Sequence, residues 1–206
     1  MSTLDTPQLI ALAAALGWAS GLRVYAVLLI VGLAGYAGWV DLPSGLRLLQ
    51  HPLMLAASGF MFVAEFFADK IPGVDTLWDT VHTVIRIPAG AALAAAVFGT
   101  DHATAAGVAA VLGAALAASS HFAKATTRAA VNTSPEPFSN IGLSLAGDAT
   151  VPAALWLALA HPWVFFPLLA LALAIMGVLL WKLGHFVVQL LRRLGGGAGG
   201  RAPTVT

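Results

Sequence analysis

Long apolar stretches alternate with short polar segments along the whole chain. The apolar runs cover residues 8–40, 52–70, 75–98, 103–127, 138–160 and 162–194. They are rich in alanine, leucine and valine and lack a period of two, so they predict helices rather than barrel strands. Because a hydrocarbon core of about 30 Å requires about 20 apolar residues per helix, we predict about six membrane-spanning helical segments. The predicted fold class is all-α, a polytopic transmembrane helical bundle.

The first and last runs are too long for one simple span each. Residues 17–21, Gly-Trp-Ala-Ser-Gly, are predicted to break or bend the first run. The last run is predicted to leave the membrane near Trp181 and to continue as a basic amphipathic helix over residues 182–194. We therefore predict a single membrane domain over residues 1–194, followed by a disordered tail, "GGGAGGRAPTVT", over residues 195–206.

The composition supports a membrane environment. Hydrophobic residues make up 59% of the 206 residues and charged residues 9%, whereas soluble domains contain about 25% charged residues. The bilayer is thus the expected solvent and partner. The chain has no cysteine, which excludes disulfide and thiolate chemistry, and its net charge of +1 gives no reason to expect a nucleic-acid partner. The N-terminus shows neither a basic region nor an A-x-A site, so no cleaved signal peptide is expected.

Lysine and arginine near the helix ends predict the orientation. With six spans, seven of these residues fall on the side that holds both termini, whereas the other side holds only Arg47. Both termini are therefore predicted to be cytoplasmic. The seven residues are Lys70, Lys124, Arg128, Lys182, Arg192, Arg193 and Arg201.

Two helix–connection–helix units, residues 52–98 and 103–160, resemble each other. Each has a charged Phe-Ala cluster, a connection containing proline, and a second helix that begins polar and becomes alanine-rich. Such repeats are common in transporters, with binding sites where the units meet. Chance similarity between alanine-rich helices is the alternative. The alignment pairs Asp75 with Asn140, Asp79 with Ser144 and Thr83 with Asp148.

Ionisable and polar residues recur inside the apolar runs at helical spacing. On insertion scales each ionisable one costs about 2.5–3.5 kcal/mol, so such residues usually face a partner or a wet cavity. Because the first unit is acidic and the second basic, packing them together would bring opposite charges into contact. A structural lock, a proton relay and an ion-binding site all remain open. The polar faces are Glu65 and Asp69; Asp75, Asp79, His82 and Arg86; His121, Lys124 and Arg128; and Asn140, Ser144 and Asp148.

Two arginines lie deep in their runs. Arg86 lies about 16 Å along the third helix at 1.5 Å per residue, so it requires an internal acidic partner, for which we predict Asp148. Arg23 follows the glycine-rich segment, and a broken helix would present it to a cavity, suiting an anion or an internal carboxylate. An interfacial position is the alternative for Arg23. The headgroup region is likewise the alternative for Lys70, Lys124 and Arg128.

The polar stretch "NTSPEPFSNIG", residues 132–142, interrupts two apolar runs. Its prolines exclude a helix across residues 134–137. Ser139 or Asn140 is then predicted to cap the fifth helix. Glu136 lies close in sequence to Lys124 and Arg128, which are its predicted cationic partners.

No metal site or cofactor is predicted. His82 and His121 lack a metal-ligand spacing, and Asp75 and Asp79 at a helix start are ordinary N-terminal charges as readily as a Mg²⁺ pair. No phosphate-binding or nucleophile motif is present. Five glycines are predicted to allow close helix packing: Gly32, Gly35, Gly38, Gly107 and Gly113.

These motifs resemble an uncharacterised bacterial integral membrane protein family, domain of unknown function 4126. The resemblance covers roughly residues 15–180. One departure is at Gly147-Asp148, where the family often carries an acidic pair. The resemblance implies a bacterial cytoplasmic membrane but supplies no activity. It rests on Gly21-Leu22-Arg23, on Glu65 and Ala68-Asp69-Lys70-Ile71-Pro72, on Asp75, Asp79, Thr83, Arg86 and Ala89-Gly90-Ala91, on His121, Lys124 and Arg128, and on Ser134-Pro135-Glu136-Pro137, Asn140, Ser144 and Asp148.

Three functions compete at this point. The first is a small transporter or channel with a polar site between the two units, for an unknown small solute or ion. The second is a non-catalytic scaffold held by structural ion pairs. The third is an intramembrane enzyme that acts on a lipid or phosphorylated headgroup, with Asp75 and Asp79 as metal ligands and Lys124 and Arg128 as phosphate binders. The oligomeric state is open, including a homo-oligomer. The predicted solute- or ion-binding residues are Arg23, Glu65, Asp69, Lys70, Asp75, Asp79, Arg86, His121, Lys124, Arg128, Asn140, Ser144 and Asp148.

Overall fold

The computed structural model of the protein describes residues 4–71, 73–132 and 138–196. Within these ranges the chain is helical and contains no strand, which confirms the all-α helical bundle. A 3-10 helix, Ser44–Gln50, makes the helix count seven instead of six, since so short a segment shows no periodicity in the sequence. The α-helices are α1 (Thr6–Tyr36), α2 (Pro52–Ala68), α3 (Val74–Ala96), α4 (Ala103–Val131), α5 (Phe138–Ala160) and α6 (Pro162–Gly196).

Helix α1 lies at the centre of the bundle and contacts all the other helices. It begins with a capping box, in which the Asp5 carboxylate accepts from the Gln8 backbone N–H and the Gln8 side chain accepts from the Asp5 N–H. Further along, its buried residues are mostly alanine, leucine and valine, and they lie on all sides of the helix. A helix that is apolar all round is suited to this enclosed position.

The backbone of α1 is broken at Arg23, whose φ of −152° and ψ of 86° are not helical. The break was predicted within residues 17–21 and occurs two residues later. Residues 17–21 stay helical because their glycines serve close packing instead. A Cβ on Gly21 would lie 2.1 Å from the Ala117 carbonyl oxygen, and one on Gly17 would lie 2.7 Å from the Cα of Gly113. These contacts bring α1 against α4 immediately before the break.

On α3, charged side chains face the interior and large apolar side chains face outward, which is the reverse of a water-soluble protein. On α3, Asp75, Asp79 and Arg86 are buried, whereas Leu77 and Val84 are exposed. Burial of charge and exposure of large apolar side chains is favourable only where lipid surrounds the bundle. The protein is thus a multi-pass membrane protein.

Among the described residues, four helices are long and apolar enough to cross a membrane: α1, α4, α5 and the segment of α6 that ends at His185. The 3-10 helix and α2, which are bent by 70° relative to each other, form a fifth candidate as a pair. Helix α3 is not among them, because its inward face carries charges. Four or five of the six predicted helical segments therefore qualify as spans by length and composition.

Several sequence predictions concern the segments between and after the helices. Residues 133–137, with the predicted proline interruption and the Glu136 contact, lie outside the described residues, as does the tail from residue 197. Helix α5 already begins at Phe138, so Ser139 and Asn140 lie in its first turn and not at the predicted cap. Helix α6 continues to Gly196, past the predicted start of the tail.

The glycine predictions hold where two helices cross. A Cβ on Gly32 would meet the Leu49 carbonyl oxygen at 2.4 Å, and one on Gly113 would meet the Gly90 carbonyl oxygen at 2.6 Å; Gly35 is similarly enclosed. A Cβ on Gly107 would have no atom within 4 Å, so the prediction that Gly107 allows close helix packing is wrong. Gly38, with a φ of 73°, serves the turn after α1 and not a helix crossing.

The variant Gly21→Ala is expected to destabilise the protein by several kcal/mol, because the new methyl group overlaps backbone atoms of α4 that cannot move aside. Thermal unfolding in detergent measures the loss. Gly107→Ala is the matched control, since it adds the same methyl group to open space and should be neutral or raise stability by about 0.4–1 kcal/mol. Equal stability of the two variants would contradict the close α1–α4 crossing.

Candidate functional site

One connected network contains all but one of the ion pairs within the described part of the chain. Five cations and five carboxylates alternate along it, so its formal charges cancel. The exception is the exposed pair Arg47–Asp41, with 3.8 Å between nitrogen and oxygen. The network extends over α1 to α5 and contains Arg23, Lys70, Arg86, Lys124 and Arg128 with Glu65, Asp69, Asp75, Asp79 and Asp148.

Asp69 at the end of α2 is the centre of the network. Its carboxylate accepts from Arg23 Nη2 at 3.0 Å, from Lys124 Nζ at 2.9 Å and from Arg128 Nη1 at 2.8 Å. The side chain is fully buried. The positive charges of two of these cations are also balanced by Asp79, which lies 3.0 Å from Lys124 and 3.6 Å from Arg128. The predicted contact between the acidic α2–α3 unit and the basic α4 face is therefore present.

Arg86 is paired on both sides of its guanidinium group. Nη2 lies 2.6 Å from Glu65 Oε1 and Nη1 lies 2.6 Å from Asp79 Oδ1. The prediction that Asp148 is the partner of Arg86 is therefore wrong. Helix α1 lies between α3 and α5 and contacts both, so equal depth along the two helices does not bring Arg86 and Asp148 together.

Asp148 pairs instead with the broken helix. Its Oδ1 lies 2.9 Å from Arg23 Nε, and its Oδ2 lies 3.2 Å from Lys70 Nζ. Arg23 Nη2 also donates to Ser144 Oγ at 2.9 Å. Arg23 is therefore a buried residue of α1 that joins Asp69 on α2 to Asp148 on α5.

Asp75 and Arg128 lie at the edge of the network. Arg128 Nε is 3.5 Å from Asp75 Oδ2. The same carboxylate accepts from Asn132 Nδ2 and from the backbone N–H groups of Gly73 and Thr76. Asp75 thus closes the α2–α3 connection and ties it to the end of α4. Asn140 lies close by, with its Nδ2 3.5 Å from the Asp69 carbonyl oxygen.

Side chains of α4 bind carbonyl groups of α1 on either side of Gly21. Lys124 Nζ donates to the Leu22 carbonyl oxygen at 3.1 Å, and Ser120 Oγ donates to the Trp18 carbonyl oxygen at 2.6 Å. A break in a membrane helix leaves backbone groups without helical partners, and lipid offers no replacement. Lys124 supplies a partner next to the break, which places its ammonium group among Leu22 O, Asp69 and Asp79.

His121 lies between Arg86 and Thr83. Its Nδ1 is 3.4 Å from Arg86 Nη1, and its Nε2 is 2.7 Å from Thr83 Oγ1. The Thr83 hydroxyl is also within hydrogen-bond distance of the Asp79 carbonyl oxygen, at 3.0 Å. His121 thus joins α3 to α4 beside the ion pairs of Arg86. Within the described residues no group of three His, Asp or Glu side chains is placed to hold a metal.

Two cavities lie on opposite sides of the network. The larger, of about 280 Å³, lies between α1, α4, α5 and α6, and we call it the α5 cavity; Arg23, Lys124, Arg128 and Ser144 line it. The smaller, of about 140 Å³, lies between α3 and α4, and we call it the α3 cavity; Asp79, Thr83, His121 and Arg128 line it. Arg128 is common to both. The polar faces of α3 and α5 therefore line two cavities separated by ion pairs, not one shared cavity.

The structure brings together the predicted site residues on α1 to α5, and it adds one that sequence reasoning missed. Trp18 lines the α5 cavity and its indole N–H has no hydrogen-bond partner. The feature of the sequence that could have identified Trp18 is its position in the "GWASGLR" segment, five residues before Arg23. A tryptophan with a donor to satisfy is unusual in a helix that is otherwise enclosed by alanine and leucine.

A family model described as "Domain of unknown function (DUF4126)" matches residues 10–182. The match covers most of the chain, so the protein belongs to this family, as the motifs around Asp69 and Arg86 predicted. No curated protein and no solved structure is significantly similar to the chain.

Arg86→Met is expected to lower the free energy of unfolding by about 3–5 kcal/mol, because it leaves the buried Glu65 carboxylate without its cation. The double variant Glu65→Gln/Arg86→Met should recover most of this loss. Denaturant unfolding in mixed micelles gives the coupling energy of the pair. Arg47→Met, at an exposed ion pair, is the control and should change little. A double variant no more stable than Arg86→Met would contradict the pairing.

Proposed function

We propose that the protein is a small transporter in which the ion-pair network separates two solute-accessible cavities. The observation that carries the proposal is the position of Arg128, which lines the α5 cavity on one side and the α3 cavity on the other. A side chain that belongs to both walls is suited to open a path between them. The barrier consists of Arg128 and Lys124 with Asp69 and Asp79.

Arg128 has alternative partners within reach, which supports movement of the barrier. Its nitrogens lie 2.8 Å from Asp69, 3.5 Å from Asp75 and 3.6 Å from Asp79. Asp69 is on α2, whereas Asp75 and Asp79 are on α3. A small shift of α4 therefore exchanges one carboxylate for another without leaving the cation unpaired. Interfaces with two such arrangements are the elements that switch between discrete states.

The predicted repeat belongs to the same proposal. Helices α3 and α5 follow the two polar connections, and each has a proline in its interior, Pro88 and Pro152. Each also lines one of the two cavities. Equivalent helices on either side of a central barrier are the arrangement expected if residues 52–98 and 103–160 are repeat units.

A scaffold with structural ion pairs is the second candidate function. The balance of five cations against five carboxylates favours it, because a neutral network is stable without a solute. The enzyme hypothesis has no comparable support, since Asp75 and Asp79 both contact Arg128 rather than a shared vacant position. Flux through the reconstituted protein separates transporter from scaffold.

Purified protein in liposomes is expected to carry small organic anions such as acetate and hexanoate, measured with an internal pH-sensitive dye. Arg128→Lys should reduce this flux about tenfold or more, because lysine keeps the charge but loses charge-assisted hydrogen bonds worth about 1.5–3 kcal/mol each. Arg47→Lys is the control at an exposed site. Flux no greater than in empty liposomes, or equal flux in both variants, would favour the scaffold.

For the orientation, the proposal places both termini in the cytoplasm of a bacterial cell, as the lysine and arginine distribution predicts. The chain has no cysteine, so a single introduced cysteine reports its own side. Asp101→Cys, in the exposed α3–α4 connection, should react with a membrane-impermeant maleimide added outside spheroplasts. Thr76→Cys, near the α2–α3 connection, should react only after the membrane is opened. The reverse labelling would overturn the orientation.

A further inference from the structure

The α5 cavity is lined by both polar and apolar side chains. The polar ones include Trp18, Arg23, Lys124, Arg128 and Ser144. The apolar ones include Leu143, Ile175, Met176 and Leu179. Helix α6 thus contributes only apolar side chains to this cavity. A ligand that fills it must combine a polar group with an apolar body.

Two buried donors on residues that line this cavity have no partner. Arg23 Nη1 and the indole Nε1 of Trp18 make no hydrogen bond, although the two side chains are only 1% and 6% exposed. Of the other nitrogens of Arg23, Nη2 binds Asp69 and Ser144, whereas Nε makes no hydrogen bond but lies within ion-pair distance of Asp148, at 2.9 Å. Buried donors are rarely left unpaired, and each such group requires an explanation.

The lining of the cavity offers donors and no carboxylate. The acids that neutralise Arg23, Lys124 and Arg128 do not line the cavity, so the charged side chains that line it are all cations. Its two threonine hydroxyls are already used, because Thr127 donates to the Ala123 carbonyl oxygen and Thr150 donates to the Ala146 carbonyl oxygen. An acceptor with negative charge is the group that satisfies this set. Charge-assisted hydrogen bonds from arginine to an oxyanion are among the strongest available in proteins.

We infer that the α5 cavity binds the oxyanion of a small amphipathic acid, held by Arg23 Nη1 and Trp18 Nε1, with its apolar body against α6. The inference names the solute class of the proposed transporter and rests on that proposal for its physiological meaning only. The volume of about 280 Å³ lies just below the range of about 300–1,000 Å³ for pockets that hold drug-sized ligands. The acid is therefore a small one. Its source is either the aqueous phase or an anionic lipid headgroup.

Hexanoate is the probe for binding, with hexanamide as its uncharged counterpart. Purified protein in micelles with zwitterionic lipid is titrated with each, and binding is followed by the shift in the unfolding temperature. Hexanoate should bind at least tenfold more tightly than hexanamide, because only the carboxylate makes charge-assisted hydrogen bonds. Replacing the zwitterionic lipid by phosphatidylglycerol distinguishes the two sources. If the headgroup is the ligand, the lipid itself stabilises the protein and weakens hexanoate binding by competition.

Trp18→Phe removes the indole N–H and keeps an aromatic ring in the cavity. It should weaken anion binding roughly tenfold, the effect of one hydrogen bond to a charged group. Trp163→Phe, at an exposed position on α6, is the matched control and should leave binding unchanged.

Gly147 allows a second test from within the chain. A Cβ at this position would lie 3.7 Å from Arg23 Nε, in ordinary contact, and Gly147 lines the same cavity. Gly147→Asp should therefore supply a tethered carboxylate to Arg23 and abolish hexanoate binding. Gly147→Asn adds nearly the same volume without the charge and should reduce binding less. This comparison does not depend on removing any member of the ion-pair network.

The inference is overturned if neither hexanoate nor phosphatidylglycerol stabilises the protein, or if Trp18→Phe and Trp163→Phe bind the anion equally. Equal binding to Gly147→Asp and Gly147→Asn has the same consequence. Its failure is separable from that of the proposed function, because binding is measured without flux. If the protein binds hexanoate but does not transport it, the binding site is supported and the transport proposal is rejected. If the protein transports hexanoate but does not bind it in the cavity, the transport proposal is supported and the binding site is rejected.

Discussion

Charge compensation in a medium of low dielectric constant is the constraint on which this structure depends. An isolated charge in the bilayer interior is costly, whereas a chain of alternating charges on five helices is neutral as a whole. Asp69 accepts from three cations that belong to α1 and α4, so its carboxylate joins α2 to both of these helices. The network thus connects α1 to α5 by electrostatics, while lipid provides no hydrophobic force between the helices.

Much of the fold followed from the sequence because the bilayer sets helix length. The ends of α2 and α5 lie within two residues of the predicted runs, since apolar content alone determines where a helix can lie in lipid. The members of the ion-pair network were also singled out from the sequence, because charges inside apolar helices are rare. Which charges pair was not. Asp148 was assigned to Arg86 by depth, but pairing depends on the neighbours of each helix, and α1 separates the two.

Two further features depend on three-dimensional packing and left little trace in the sequence. The glycines at positions 17 and 21 suggested a flexible point, yet they allow α4 to approach and remain helical. The break falls at Arg23, because there the side chain is fixed by partners on α2 and α5. Similarly, Trp18 lines the α5 cavity only because α5 and α6 enclose that cavity with it. Contacts between distant segments decide both cases.

The position of Arg23 also affects how the protein is made. Ser144, to which its guanidinium group donates, follows 121 residues later in the chain. At synthesis rates of about 5–20 residues per second, roughly 6–24 s pass before that partner has been added. Glu65 and Arg86, only 21 residues apart, can pair within one emerging hairpin. During biogenesis Arg23 thus resides in α1 before α5 exists, and the central helix acquires its final environment only when α5 joins the bundle.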